Sequence, residues 1–260
     1  MSAGAGSIRW TSASRSHAGR VRKVNEDACL EQPERALWAV ADGMGGHALG
    51  EFASRLAVKT LMDLPVADNL TQYVALAQEQ LQRANRSLRA EAARRDVPVI
   101  GTTIAALLAS ERQCACLWAG DSRVYRYRAG HLEQLTRDHN QIEALRPHRV
   151  VNPDDTLERP PANVITRALG GADTLELDGV TIDVIDGDVF LLCSDGLSNE
   201  VHDLDIEQAL LPGNCRQAST ALVELALDRG GHDNITAVVV RAEDLASPDR
   251  TALLPVLSTL

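Results

Sequence analysis

Apolar residues in this chain fall into short runs that stop at acidic turn residues. Leu37-Trp38-Ala39-Val40-Ala41 runs into Asp42-Gly43-Met44-Gly45-Gly46-His47, and Val189-Phe190-Leu191-Leu192-Cys193-Ser194 runs into Asp195-Gly196. A short apolar run closed by glycine predicts a buried β-strand. Gly230-Gly231-His232-Asp233-Asn234 precedes a third run, residues 235–240, and Asn25-Glu26-Asp27 precedes Ala28-Cys29-Leu30. Four acidic clusters at predicted strand ends, far apart in sequence, suggest one convergent site. A strand that hands an acid to a glycine turn is a common way to build an oxygen-ligand metal site, because the missing Cβ lets an ion or phosphate come close.

Between these runs the period changes. In residues 48–64, Leu49, Phe52, Ala53, Leu56, Ala57, Thr60 and Leu61 recur at the spacing of one helix face, and Pro65 ends the pattern. A longer helix is predicted over 69–95, with Leu70, Val74, Leu76, Ala77, Leu81, Ala84 and Leu88 inward. Its Arg83, Arg86, Arg89, Arg94 and Arg95 read as a solvated face that suits the helix dipole. Residues 8–16 form a first strand. Residues 101–110 and 113–119 read as strands joined by the two-residue turn Glu111-Arg112, followed by 124–128 in an antiparallel meander. Residues 177–184 and 189–194 read as a hairpin through Asp186-Gly187, and helices follow at 205–211 and 215–228. Thr136 or Asp138 is expected to cap a short helix reaching Leu145. Residues 146–162 hold four prolines among charges, so they read as a loop, of the kind that is functional or mobile.

The composition narrows the function. At 260 residues and 45% apolar, without a Pro/Gly/Ser-rich linker, the chain reads as one domain whose core rests on aliphatic residues, since aromatics are only 3%. A net charge of −10 argues against nucleic acid and anionic membranes. No run is long enough to span a bilayer and residues 1–6 lack a signal core, so a cytoplasmic protein is expected. Five cysteines at irregular spacing read as buried thiols, with Cys114 and Cys116 on one strand face. No G-x-x-x-x-G-K-[ST] stretch supports a nucleotide loop.

Arg22-x-x-Asn25-Glu26-Asp27, Asp42-Gly43-Met44-Gly45-Gly46-His47, Gly101-Thr102-Thr103, Gly120-Asp121-Ser122-Arg123, Ser194-Asp195-Gly196 and Asp233-Asn234-Ile235-Thr236 occur in this order. The series resembles the metal-dependent PPM (type 2C) serine/threonine protein phosphatases, in their bacterial form, and extends from about His17 to Arg241. The resemblance implies an α+β fold: a four-layer αββα sandwich of two stacked antiparallel sheets flanked by helix pairs. It implies a catalytic domain over 1–242 with a flap at about 140–165, and a C-terminal tail over 243–260. It also implies two Mn²⁺ or Mg²⁺ ions, with a place for a third. Asp42 would bridge two ions, the Gly43 carbonyl would ligate one, and Asp195 and Asp233 would hold the other. Asp121 would join Asp195 at the third, while Glu26 and Asp27 would act through metal-bound water. Arg22 would take the substrate phosphate while a metal-bridging water attacks phosphorus in line. Scattered Asp residues suit these hard ions better than Zn²⁺.

The partners implied are phosphoserine and phosphothreonine proteins, together with a cognate Ser/Thr kinase and its substrates. One departure concerns the proton donor. Met44 stands where many eukaryotic members carry His, which leaves His47, His139 or a metal-bound water as the general acid. His47 has an alternative role in holding the glycine turn. Arg146, His148 and Arg149 in the flap are expected to help select phosphoprotein substrates. Two other readings are a phosphatase-like binding module and an aspartyl-nucleophile phosphohydrolase built on Asp186-Gly187-Asp188.

Overall fold

The computed structural model describes residues 8–45, 48–141, 143, 164–211 and 213–246. The first half runs β1 (Ile8–His17), β2 (Asp27–Gln32), β3 (Leu37–Met44), α1 (Ala48–Met62), α2 (Leu70–Arg95), β4 (Gly101–Thr102), β5 (Ile104–Ser110) and β6 (Gln113–Ala119). The second runs β7 (Arg123–Arg128), β8 (His131–Gln134), β9 (Asp178–Asp183), β10 (Val189–Cys193), α3 (Asp195–Ser198), α4 (Asp203–Leu210), α5 (Cys215–Asp228) and β11 (Ile235–Asp244). The strands make two antiparallel sheets. One has the order β1-β11-β10-β7-β8, and the other β2-β3-β5-β6-β9 with β4 added beside β3.

Side-chain alternation explains why the sheets stack. Leu37, Ala39 and Ala41 of β3 enter the core beneath α1 and α2, while Trp38 and Val40 point into the core between the sheets. In β10, Val189, Leu191 and Cys193 face α4 and α5, and Phe190 and Leu192 face the other sheet. A strand buried on both faces reads as a continuous apolar run, as seen at both Asp-Gly stretches. The result is the four-layer αββα sandwich, with Trp10 packed on Trp38 and Phe190 in the middle. Fully burying one such large side chain contributes about 1.5–3 kcal/mol.

The helices start and stop as local chemistry dictates. Asn69 Oδ1 accepts from the Gln72 N–H, and Asn214 forms a capping box with Gln217. Ala53, Ala57 and Leu61 of α1 are buried as expected, but Phe52 is partly exposed. The arginines of α2 lie on its solvated side, where Arg83 pairs with Glu79, and Arg94 and Arg95 with Glu91.

Two connections differ from the sequence reading. The meander does not continue past β6, because β7 pairs with β10 and β8 in the opposite sheet. Gly120 makes the crossing at φ +114, where a Cβ would lie 2.6 Å from the Thr103 methyl. Likewise β9 pairs with β6 and β10 with β11 and β7, so Asp186-Gly187 links two sheets and closes no hairpin. The expected strand over 101–110 breaks at Thr103: β4 pairs with Gly43 and Met44 of β3 and β5 with residues 37–40 of the same strand, while the Thr103 N–H between them donates to the Asp42 carbonyl. Neither Thr136 nor Asp138 caps the following turn. Asn140 Oδ1 accepts from the Glu143 N–H, whereas Thr136 holds Val124 N–H and Asp138 pairs with Arg123. Strand β11 continues to Asp244, past the expected boundary at 242, and residues 251–260 lie outside the described set. Cys114, Cys116 and Cys193 are buried thiols, and burial pushes Cys116 and Cys193 up to about 12.

Candidate metal centre

One end of the sandwich gathers the acids. Asp27 opens β2 directly opposite Asp42 on β3, Asp195 opens α3 after β10, and Asp233 precedes β11. Asp121 sits in the crossing between β6 and β7. Thus strands of both sheets deliver carboxylates to a shared rim.

The quoted motifs are the means of delivery. The Asp42 N–H donates to Thr103 Oγ1 (2.9 Å), and the Asp42 carbonyl accepts from the Thr103 N–H and Thr102 Oγ1, each at 2.9 Å. Thr103 Oγ1 meets Ser122 Oγ at 2.7 Å, so the Gly-Thr-Thr and Gly-Asp-Ser-Arg stretches grip the same backbone. Asp27 Oδ2 accepts from Ser194 Oγ (2.7 Å) and Thr236 Oγ1 (2.6 Å), tying the second sheet to the first. Asn234 donates to the carbonyls of Ala18 and Val24 and accepts from the Glu26 N–H at 2.7 Å, which fixes the loop carrying Arg22.

Two glycines are required for close approach. A Cβ on Gly43 would stand 2.1 Å from the Gly50 carbonyl, and one on Gly50 would stand 2.3 Å from Glu26 Oε1. Gly50, Thr103, Ser194, Asn234 and Thr236 escaped the list of site residues drawn from the sequence. Except for Gly50 they lie inside or beside the motifs, and that position was the available signal.

The electrostatics are those of crowded carboxylates. Asp42 is held well above the usual range by burial and by the charges of Asp27, Asp195, Asp121 and Asp233. Burial, with neighbouring acids, pushes Asp27 and Asp121 up to about 7, although the Thr236 and Ser194 hydroxyls pull Asp27 back. Asp195 is raised by burial and by Asp233, partly offset by a hydrogen bond shared with Asp42. Among the described residues no three of these groups already form a closed ligand shell. The donor set fits hard divalent ions. Among the described residues Asp27 Oδ1, Asp121 Oδ1 and Asp195 Oδ1 are buried without a hydrogen-bond partner. Such oxygens are costly unless something positive meets them.

Arg22 stands at the rim, half exposed, and gives Nη2 to Asp233 Oδ2 at 2.8 Å. His139 is not placed to act as an acid. Its Nδ1 accepts from the Gly120 N–H (3.2 Å), its Nε2 faces Asp178 (3.1 Å), and Trp118 stacks on the ring. It is a buried brace for the Gly120-Asp121 turn. Met44 lines a cavity of about 440 Å³ with Val99, Ile165 and Leu175. His47, Arg146, His148 and Arg149 lie outside the described residues. Asp188 is buried against Arg128, which removes the aspartyl-nucleophile reading.

A two-sheet sandwich with unpaired carboxylates at its rim defines a hard-cation metalloenzyme class. The comparisons specify the family: Protein phosphatase 2C matches residues 13–224, and the chain belongs to that family. It is 36% identical over 233 residues to the serine/threonine protein phosphatase PstP of Mycobacterium tuberculosis, covering 89% of this chain and 45% of that protein. The chain therefore spans about half the length of that curated relative. Among solved structures, PppA of Pseudomonas aeruginosa, described as a key regulatory component of T6SS, superposes with a TM-score of 0.84 at 47% identity, covering 90% of this chain and 97% of that one. A PstP catalytic domain in complex with two manganese ions gives 0.80 at 36% identity, covering 91% and 100%.

Proposed function

We propose that this chain is a Mn²⁺- or Mg²⁺-dependent phosphatase of phosphoserine and phosphothreonine proteins. The observation that carries the reading is the trio of buried, partnerless oxygens on Asp27, Asp121 and Asp195 at one rim. Asp42, the Gly43 carbonyl, Asp195 and Asp233 would hold two ions, and Asp121 with Asp195 a third. When bound, such ions activate water and neutralise charge on phosphate.

The chain's own groups do the rest. Arg22 gives Nη2 to Asp233 and is half exposed, which leaves the other donors of its planar fork for phosphoryl oxygens. Thr103 and Ser122 lock the Asp42 backbone, and Ser194 and Thr236 fix the Asp27 rotamer. The PstP neighbour with two manganese ions supports the same reading. Among the described residues no helix is long and apolar enough to cross a membrane, which fits a cytoplasmic enzyme opposing a Ser/Thr kinase.

The test is hydrolysis of a phosphothreonine peptide and of p-nitrophenyl phosphate, with Mn²⁺ and with EDTA. Turnover of both in Mn²⁺, lost in EDTA, is expected; EDTA-insensitive turnover or none at all refutes the proposal. For the flap, Arg146→Ala with Arg149→Ala should slow a phosphoprotein more than the aryl phosphate. Equal slowing of both would remove the flap from substrate selection.

A further inference from the structure

Among the described residues strand β1 is the last strand of its sheet, with no partner strand on one of its edges. A groove of about 690 Å³ lies along β1, walled by β1, by Arg241 and Glu243 of β11, by the start of α5 and by Glu31 of β2. It runs away from the metal centre: its Arg15 end lies two residues, about 7 Å, from the His17–Ile235 pair at the rim, and its Thr11 end six residues, about 20 Å.

The groove is basic in an acidic protein. Arg15, Arg216 and Arg241 line it. Arg15 and Arg216 are exposed and make no side-chain hydrogen bond or ion pair among the described residues. Among the described residues Arg241 Nε is buried without a hydrogen-bond partner. Of the two acids in the lining, Glu243 is held by Arg9, and Glu31 accepts from Ser12 Oγ. The hydroxyls of Ser14 and Thr220 complete a polar wall.

An unpaired strand edge offers main-chain donors and acceptors in register, and proteins normally block such edges. Here the Cys215 thiol donates to the Thr11 carbonyl, and the edge from Ser12 to Ser16 has no partner strand among the described residues, beside Arg15 and Arg216 and with Arg241 on the neighbouring strand. We propose that this groove docks an extended, acidic peptide segment of a partner protein. The segment adds as a strand along β1 and sets alternate carboxylates against Arg15, Arg216 and Arg241. Main-chain pairing supplies affinity and the arginines supply selectivity. The site is separate from the metal centre and does not depend on catalysis.

The test uses a fluorescein-labelled decapeptide of alternating Glu and Thr, with anisotropy read in EDTA so that the metal centre takes no part. The double variant Arg15→Glu with Arg216→Glu should bind about tenfold more weakly or worse. It should gain affinity for the matching Lys-Thr peptide, and its Mn²⁺-dependent aryl phosphate turnover should stay unchanged as a folding control. Hydrogen exchange on the wild type should show the Glu-Thr peptide protecting alternate amides between Ser12 and Ser16. Equal affinity in the variant overturns the proposal. So does an affinity loss with no protection on β1, since that means loose charge attraction without strand addition.

Discussion

The two ends of this sandwich treat carboxylates in opposite ways. Away from the rim, buried Asp188 takes a two-pronged ion pair from Arg128, at 2.6 Å on each oxygen, and Asp244 pairs with Arg112 at 2.7 Å. At the rim, Asp27, Asp42, Asp121, Asp195 and Asp233 crowd together. Among the described residues the ion pair made by this group of acids is Arg22–Asp233, at the surface. A paired acid accounts for itself by the bond it makes. A buried acid with only like charges around it destabilises the fold, and is explained by what it binds.

Removing a charge should therefore have opposite effects at the two ends. Asp42→Asn should abolish Mn²⁺-dependent turnover while raising the melting point in EDTA. Each kcal/mol of relieved repulsion is worth about 2–4 °C in a domain of this size. Calorimetry beside a p-nitrophenyl phosphate assay reads both. A variant that melts lower in EDTA and keeps its turnover would erase the contrast. Next in size is Gly50→Ala. Its Cβ would displace Glu26 from the rim, so metal affinity should fall about 10- to 100-fold, as for other groups that orient ligands. Titration with Mn²⁺ checks this, and unchanged affinity would show that Glu26 has room to move.

Asp188→Ala comes third and touches the other end. It strands Arg128 and should cost about 2–3 kcal/mol, below the fully buried case because Arg128 reaches solvent. Turnover per folded molecule should be unchanged. If denaturant melts showed no loss, the pairing end would carry less of the fold than its geometry implies.

The sequence revealed the rim better than the route to it. Asp42, Asp195 and Asp233 were legible because each punctuates an apolar run, and a side chain at a strand end must project from the sheet. Sheet membership was not legible. Strands β5 and β6 are buried on both faces, so no alternation marks which layer they join. Gly120-Asp121-Ser122 is as short as a hairpin turn, yet it carries the chain from one stacked sheet to the other. The bracing hydroxyls were also hidden. Thr103, Ser194 and Thr236 look like ordinary strand residues until folding aims them at Asp42 or Asp27. His139 shows the converse. Its chemistry invited a proton-transfer role, and only its neighbours reveal a brace.

The last test of the contrast needs no mutation. Asp27 and Asp121 sit at about 7 in the folded protein, against an ordinary value of 3.8. The fold therefore binds these protons more tightly than the unfolded chain does. Their contribution to stability is complete below about pH 4 and is lost as pH rises through about 7. In EDTA the melting point should thus fall between about pH 5 and pH 8. With Mg²⁺ in excess the fall should shrink, because a divalent ion takes the place of the protons that leave. Carboxylates shifted the other way do not mask this window. Glu91, held down at about 2 chiefly by the Arg94 hydrogen bond and then Arg95, has finished titrating well below it. A melting point that climbs with pH in EDTA, or a slope that ignores Mg²⁺, would mean that the rim acids are not the strained, ion-seeking group that separates this end of the sandwich from the other.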